Sequence, residues 1–159
     1  AETLFKHLGV GGPGEPASFS RAQTRAVELL AAKGVGAEGV RIVNGSGLYE
    51  QTRATAAALV GLLVVAEQRG PALRDTLAVG GKSGTLASRF RRGGLRGKVH
   101  AKTGTLDEVL SLAGYVETRG AERLAFAVVL NDVRPSRAAK MRAAIDRLVG
   151  RLAKLRAAP

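Results

Sequence analysis

Between residues 98 and 130 the side chains change character with a period of two. The stretch Lys98-Val99-His100-Ala101-Lys102-Thr103 alternates polar with apolar. This predicts a strand, because successive side chains of extended backbone point to opposite faces. Ser111–Thr118 and Arg123–Leu130 predict two more strands, joined as a hairpin across Arg119-Gly120. In the second of these, Leu124, Phe126, Val128 and Leu130 share one face, while Ala125, Ala127 and Val129 line the other. A strand apolar on both faces predicts a central place in a sheet covered on both sides.

Elsewhere the period is that of a helix. Residues 1–8 read as helix with no capping residue before Ala1, and Gly9–Pro16 is loop by composition. Ser18 or Ser20 caps a second helix through Lys33, with Leu29 and Leu30 inward and Gly34 as a left-handed stop. Val40–Val43 reads as a short strand, ended by the turn Asn44-Gly45-Ser46-Gly47. Thr52 caps a third helix with Ala56, Leu59, Val60, Leu63 and Val64 at helical spacing, and Gly70-Pro71 stops it. A short helix over 71–76 and a glycine-rich stretch, Gly80–Thr85, follow. Ser136 starts a last helix to about Arg156, with Met141, Ile145, Leu148, Leu152 and Leu155 as its apolar stripe. The same helix carries seven Lys and Arg residues. A helix resting on a membrane surface has the same pattern, but packing on a sheet is its commoner use.

Composition narrows the function classes. A chain of 159 residues that is 45% hydrophobic is long enough for one domain with a core. No run of about 18 uncharged apolar residues occurs, so no transmembrane segment is expected. Ala1 opens without Met or a secretory leader, so the chain is expected to be processed or cut from something longer. Absence of cysteine excludes disulfides and thiol catalysis. His7 and His100 have no metal-ligand neighbours at a useful spacing, so no metal site is expected.

The formal charge of +12 favours anionic partners. Six aromatic residues are too few for the stacking platforms of single-strand binders, and no nucleic-acid motif occurs, so nucleic acid is not expected as a partner. The cluster Arg89, Arg91, Arg92, Arg96 and Lys98 reads either as a grip for phosphates or as a solvated loop.

The chemistry concentrates at Lys102-Thr103-Gly104-Thr105. On a strand, Lys102 and Gly104 share a face, so a cation is followed there by a position without a side chain. Such a strand lets a substrate backbone lie along it beside a positive charge. The expectation is a groove bordered by this strand, with Gly104 and Lys102 on the same side. The triplet K-T-G, with S-x-x-K and S-D-N, is the signature of penicillin-binding proteins and related β-lactamases. Two near-matches to other motifs fail. Gly81-Lys82-Ser83 ends like a phosphate-binding loop, but Thr76 stands where its first glycine is required. Ser46 lies between glycines as in a nucleophile elbow, but Asn44 stands two residues before it.

The surroundings of the triplet are longer and more specific. Val99-His100-Ala101-Lys102-Thr103-Gly104-Thr105-Leu106, then Leu112-Ala113-Gly114-Tyr115-Val116, closely resembles the low-molecular-mass D-alanyl-D-alanine carboxypeptidase/endopeptidase family of class C penicillin-binding proteins. Asn44-Gly45-Ser46-Gly47-Leu48 resembles that family's D-G-S-G-L turn, and Leu77–Leu86 its L-P-x-x-G-x-x-G-T-L stretch, with Arg89 as the arginine that follows. Ala1-Glu2 resembles the residues just after the S-x-N motif. There are departures: Asn44 replaces an aspartate, and Tyr49-Glu50-Gln51-Thr52 stands where Ser-Arg-x-Asn is usual. None of the seven serines has a lysine three positions later, and neither Asn44 nor Asn131 has a serine two positions before it.

The resemblance implies an α/β (α+β) fold, the penicillin-recognising, transpeptidase-like fold with an antiparallel sheet flanked by helices. Residues 1–159 would be the C-terminal part of a single catalytic domain, and a missing N-terminal part would hold the nucleophile. The implied activity is a serine-type carboxypeptidase acting on peptidoglycan stem peptides through an acyl-enzyme, with β-lactams as ligands. Lys102 and Thr103 would bind the substrate carboxylate, Gly104 would complete the motif, and the Thr105 backbone N–H would donate to the oxyanion. No metal or organic cofactor is implied, and the location would be periplasmic or otherwise extracytoplasmic. The chain alone would be inactive. The other reading is a non-catalytic relative that binds cell-wall peptide or a protein partner.

Overall fold

A computed structural model of the chain describes residues 1–48 and 51–156. The chain divides into two compact units, Ala1–Leu62 and Leu63–Pro159.

The first unit is built on α1 (Glu2–Leu8) and α2 (Phe19–Ala32). Ser18 caps α2, its hydroxyl oxygen accepting from the Arg21 amide at 3.1 Å, and Gly34 follows the helix at φ +71°. Phe5 is buried, with its ring centroid 6.1 Å from that of Phe19. Leu29 does not face inward as expected. It is half exposed, while Leu30, one position on, is partly buried. Val40–Val43 is not a strand either: a single bridge between Arg41 and Arg53 replaces the ladder that its β-branched residues suggested. Thr52 is not the cap of the next helix. Its hydroxyl accepts from the Val43 amide at 3.3 Å, and Thr55 caps instead, accepting from the Ala58 amide at 3.0 Å. The helix α3 (Ala56–Gln68) is apolar nearly all round, so its spacing selects no single stripe: Leu63 is buried and Val64 is exposed.

The second unit is a four-stranded antiparallel sheet with helices. In chain order it holds α4 (Ala72–Asp75), β1 (Ala78–Val79), β2 (Val99–Thr105), β3 (Leu110–Glu117), β4 (Arg123–Leu130) and α5 (Ala138–Leu152). The spatial order is β1-β2-β3-β4. The hairpin forms as its alternation predicts, with Leu112 opposite Val128, Gly114 opposite Phe126 and Val116 opposite Leu124. The central place expected for β4 is not seen: among the described residues it is the outer strand, and of its residues Phe126 is buried while the other apolar ones are partly buried. Apolarity on both faces therefore marks half-burial on each side, with small alanines on the side away from α5.

α5 covers one face of the sheet. Ile145 and Val149 join Val99, Ala101, Leu112, Val116 and Phe126 in one core cluster, so the helix packs on the sheet. Two details of the expectation need correction. Ser136 lies inside a 3₁₀ turn, Pro135–Arg137, that leads into the helix and does not cap it. The buried positions run Ile145, Val149, Ala153, while Leu148 and Leu155 are exposed. Spacing by four keeps those three residues over the sheet, which a stripe through Leu148 and Leu155 does not.

Candidate active site

The middle strand β2 carries Lys102-Thr103-Gly104-Thr105 at its end, paired with Ala113, Leu112, Ser111 and Leu110 of β3. Its other neighbour is short. β1 pairs over two residues, with Ala78 opposite Ala101 and Val79 opposite His100, and then turns away through glycines. The Gly80 amide donates to the Val99 carbonyl at 2.8 Å, and Gly81 (φ +69°) and Gly84 (φ +53°) adopt left-handed conformations. A Cβ on Gly84 would stand 3.0 Å from that of Ala78. These turns bring a short 3₁₀ segment, Gly84–Leu86, beside β2, where the Thr103 hydroxyl donates to that of Thr85 at 3.1 Å.

Lys102 is exposed on the strand, and its ammonium donates to the Thr103 carbonyl at 2.6 Å. Gly104 has a reason to be glycine within the sheet itself: a Cβ there would lie 2.2 Å from the Ser111 hydroxyl. Strand β2 borders a groove of about 510 Å³ that runs to α5. Thr103, Gly104 and Thr105 line it on the strand side, and Arg142 and Asp146 on the helix side. The expectation that Lys102 and Gly104 share the groove side is not met: Gly104 lines the groove through its backbone, but Lys102 stands outside the lining, because Thr103 and Thr105 point to the α5 face and Lys102 to the other.

Arg89 is not available to grip phosphate. Its guanidinium forms a fork on Asp146, with Nε 3.0 Å from Oδ1 and 3.2 Å from Oδ2, and it lies 5.4 Å from the Phe90 ring centroid. Lys98 pairs with Glu117 at 3.2 Å, whereas Arg91, Arg92 and Arg96 are exposed. Asp146 and Arg142 escaped the sequence reading. One signal was present: Asp146 is the sole acid between Val133 and Arg156, among seven cations.

Opposite α5, Tyr115 is buried and its hydroxyl donates to the Leu63 carbonyl at 2.7 Å. Burial, then the nearby Glu67 carboxylate, pushes the phenol above its usual range. Glu67 is shared between Arg74, at 2.7 Å, and Arg123. In the first unit, Ser46 is held as a turn residue: its hydroxyl donates to Glu2 at 2.7 Å. Buried Asn44 accepts from the Gly47 amide at 2.6 Å. The Ser46 hydroxyl bond, then the Gly45 amide, holds the Glu2 carboxyl below its usual range. Tyr49 and Glu50 lie outside the described residues; Gln51 is exposed. Among the described residues no group of His, Asp and Glu is arranged to hold a metal, and no helix is long and apolar enough to cross a membrane.

Known proteins share this sequence and fold. Carboxypeptidase DacB of Mycolicibacterium smegmatis is 35% identical over 143 residues, which are 85% of this chain and 30% of that protein. The D-alanyl-D-alanine carboxypeptidase of Actinomadura sp. is 36% identical over 141 residues, 82% of this chain and 25% of that one. The chain thus spans under a third of the length of these relatives. The crystal structure of penicillin binding protein 4 (dacB) from Haemophilus influenzae, complexed with a β-lactam, superposes with a TM-score of 0.83 at 25% identity. That match covers 98% of this chain and 38% of the other, and the penicillin-recognising fold with its antiparallel sheet and flanking helices is shared. A family profile for D-Ala-D-Ala carboxypeptidase 3 spans residues 1–152. Matched along nearly all of its length, the chain belongs to the S13 family of D-Ala-D-Ala carboxypeptidases.

Proposed function

We propose that this chain carries the carboxylate-binding strand of a serine-type D-alanyl-D-alanine carboxypeptidase acting on peptidoglycan stem peptides. The observation that carries the reading is the exposed cation Lys102 on a strand whose residues 102–105 pair with β3 alone, leaving their other edge open to a ligand backbone. A peptide ending in D-Ala-D-Ala and a β-lactam both offer a carboxylate to such a strand, and a Haemophilus influenzae relative has been seen with a β-lactam bound. In this reading Lys102 and Thr103, from opposite faces of the strand, close on that carboxylate at its open edge, Gly104 keeps the strand close to Ser111, and the Thr105 N–H donates to the oxyanion.

The reaction is acyl transfer. A serine oxygen bonds to the penultimate D-alanine carbonyl, the peptide C–N bond breaks, and terminal D-alanine leaves with the proton. Water then cleaves the ester. Since no serine here has a lysine three positions later, the nucleophile and its base belong to sequence outside these 159 residues. The whole then forms one catalytic domain working outside the cytoplasmic membrane. A relative that binds cell-wall peptide or a protein partner without turnover is the second reading, favoured by the same missing serine motif.

The test is acylation of the complete protein by labelled penicillin. Lys102→Ala lowers the rate ten- to a hundredfold, the worth of a charge-assisted bond of roughly 1.5–3 kcal/mol. Lys82→Ala and Lys98→Ala share the charge but not the motif, and they change it little. Equal small effects from all three would reduce Lys102 to a source of general positive potential. No acylation of the unsubstituted protein would favour the non-catalytic reading.

A further inference from the structure

Residues 76–106 hold seven lysines and arginines and no acid. Three of the seven are accounted for: Arg89 is held by Asp146, Lys98 pairs with Glu117, and Lys102 stands on β2. The other four, Lys82, Arg91, Arg92 and Arg96, are exposed, and among the described residues none forms an ion pair. They are not scattered. The Lys82 ammonium lies against Gly97, 2.7 Å from where a Cβ would stand. The Arg96 side chain crosses over Gly81, its Cγ 2.9 Å from the Cβ position there, and the Arg91 Cα is 3.4 Å from the same point. Glycines at φ +69° and +81° thus let two cation-bearing turns cross at 81 and 97.

A loop that merely carries solvated charge has no need of a fixed backbone, and this one is pinned along its length. Phe90 is buried at φ +58°, a conformation that few residues other than glycine adopt. Leu95 packs on the core cluster, its Cδ1 3.5 Å from the Cβ position of Gly150 on α5. The Gly97 amide donates to the Gly80 carbonyl at 2.8 Å, and the Lys98 amide to the Leu95 carbonyl at 2.9 Å. Like charges gathered without an acid repel one another, and a pinned backbone stops them from spreading apart. A bound anion relieves that repulsion, and the pinning lowers the entropy lost in binding it.

Three of the four cations are arginines, whose planar fork matches the oxygens of a phosphate. Segments that bind membrane surfaces set Trp, Phe or Leu beside their cations. Here Phe90 and Leu95 turn inward, and no large apolar residue between Leu73 and Leu148 is exposed. Single-stranded nucleic acid is gripped by stacking, and the one aromatic ring of the loop is buried. We propose that Lys82, Arg91, Arg92 and Arg96 form a docking surface for a flexible phosphodiester polymer of the cell wall, one without nucleobases. The choice of the wall as its source rests on the proposed carboxypeptidase reading. The loop enters β2 at Val99, about 20 Å along the strand from Thr105, so a polymer held there leaves the open edge at 102–105 free.

Binding of the complete protein to synthetic poly(glycerol phosphate) is the test. Affinity is expected to fall steeply as salt rises, since each phosphate contacted releases a counterion. Arg91→Gln, Arg92→Gln and Arg96→Gln together are expected to weaken binding roughly tenfold, the joint effect of three exposed charge pairs, and to flatten the salt dependence. Arg134→Gln, Arg137→Gln and Lys140→Gln together remove the same charge about 15 Å or more before Gly150 along α5, and are expected to change little. Equal weakening in the two triple variants would reduce the loop to bulk charge and overturn the proposal. So would tighter binding, at matched phosphate concentration, to oligothymidylate or to vesicles of equal parts phosphatidylcholine and phosphatidylglycerol. Hydrolysis of a soluble D-Ala-D-Ala peptide is expected to be the same in the loop variant and the unsubstituted protein, so a failure of docking is read apart from a failure of the carboxypeptidase reading.

Discussion

Gly114 of β3 stands directly opposite Ala101 of β2, in a gap that admits no second side chain. A Cβ on Gly114 would lie 2.1 Å from the His100 carbonyl oxygen and 2.6 Å from the Ala101 Cα. Both are backbone atoms, so neither can swing away. Gly114→Ala is therefore expected to push β2 and β3 apart and to cost about 3 kcal/mol, the upper range for overpacking. Urea unfolding measures the loss. A variant as stable as the original would show that the two strands are not held this closely.

Tyr115→Phe isolates one hydrogen bond. The substitution leaves the Leu63 carbonyl without its buried donor, at an expected cost of about 1–3 kcal/mol near neutral pH. The pH dependence follows from the raised phenol. The native state holds the proton more tightly than the unfolded chain, so stability from this group is complete below the ordinary tyrosine value, about 10. It is lost as pH rises from there through the native value. Tyr115→Phe has no such decline, so the gap between the two proteins narrows in alkali. A gap that widens above that value contradicts the assignment.

The 159 residues alone are expected to form no covalent adduct with a labelled penicillin, because no serine here has a lysine three positions later. Intact mass measurement decides it. A stoichiometric increase would identify a nucleophile among Ser18, Ser20, Ser46, Ser83, Ser88, Ser111 and Ser136, and the proposed division of labour would be wrong.

Strands β2, β3 and β4 and the K-T-G segment were legible because each carries a two-residue period over six or more positions, whereas β1 and the failed strand at Val40–Val43 are too short to show one. The Asn44 turn was legible because its short polar side chain and glycines specify it locally. Capping was harder. Thr52 and Thr55 are both good caps, and the choice fell to Thr55 because the Thr52 hydroxyl is engaged by the Val43 amide across a chain crossing. The buried side of α5 depends on which residues of β3 and β4 lie beneath it, which no spacing rule contains. The site divides the same way: Lys102 through Thr105 could be found by motif, while Arg142 and the Asp146 fork on Arg89 join positions 53 and 57 residues apart from Arg89 in the chain. Gly104 was expected for a ligand's sake, and its contact with Ser111 could be seen only with β3 in place.

The outer place of β4 has a consequence for anyone preparing the molecule. Among the described residues no strand pairs with its far side, so a row of backbone donors and acceptors is left as a template for another extended segment. Leu124–Leu130 is seven apolar residues in succession, without proline or lysine, and Arg123 is the one charge on the strand. Short, uncharged segments with that composition are the ones that stack into fibrils. A net charge of +12 keeps whole molecules apart but does nothing for an octapeptide that carries one unit of it. Inclusion bodies and slow precipitation of these 159 residues would start at β4, and a single lysine set into that strand is the most direct remedy.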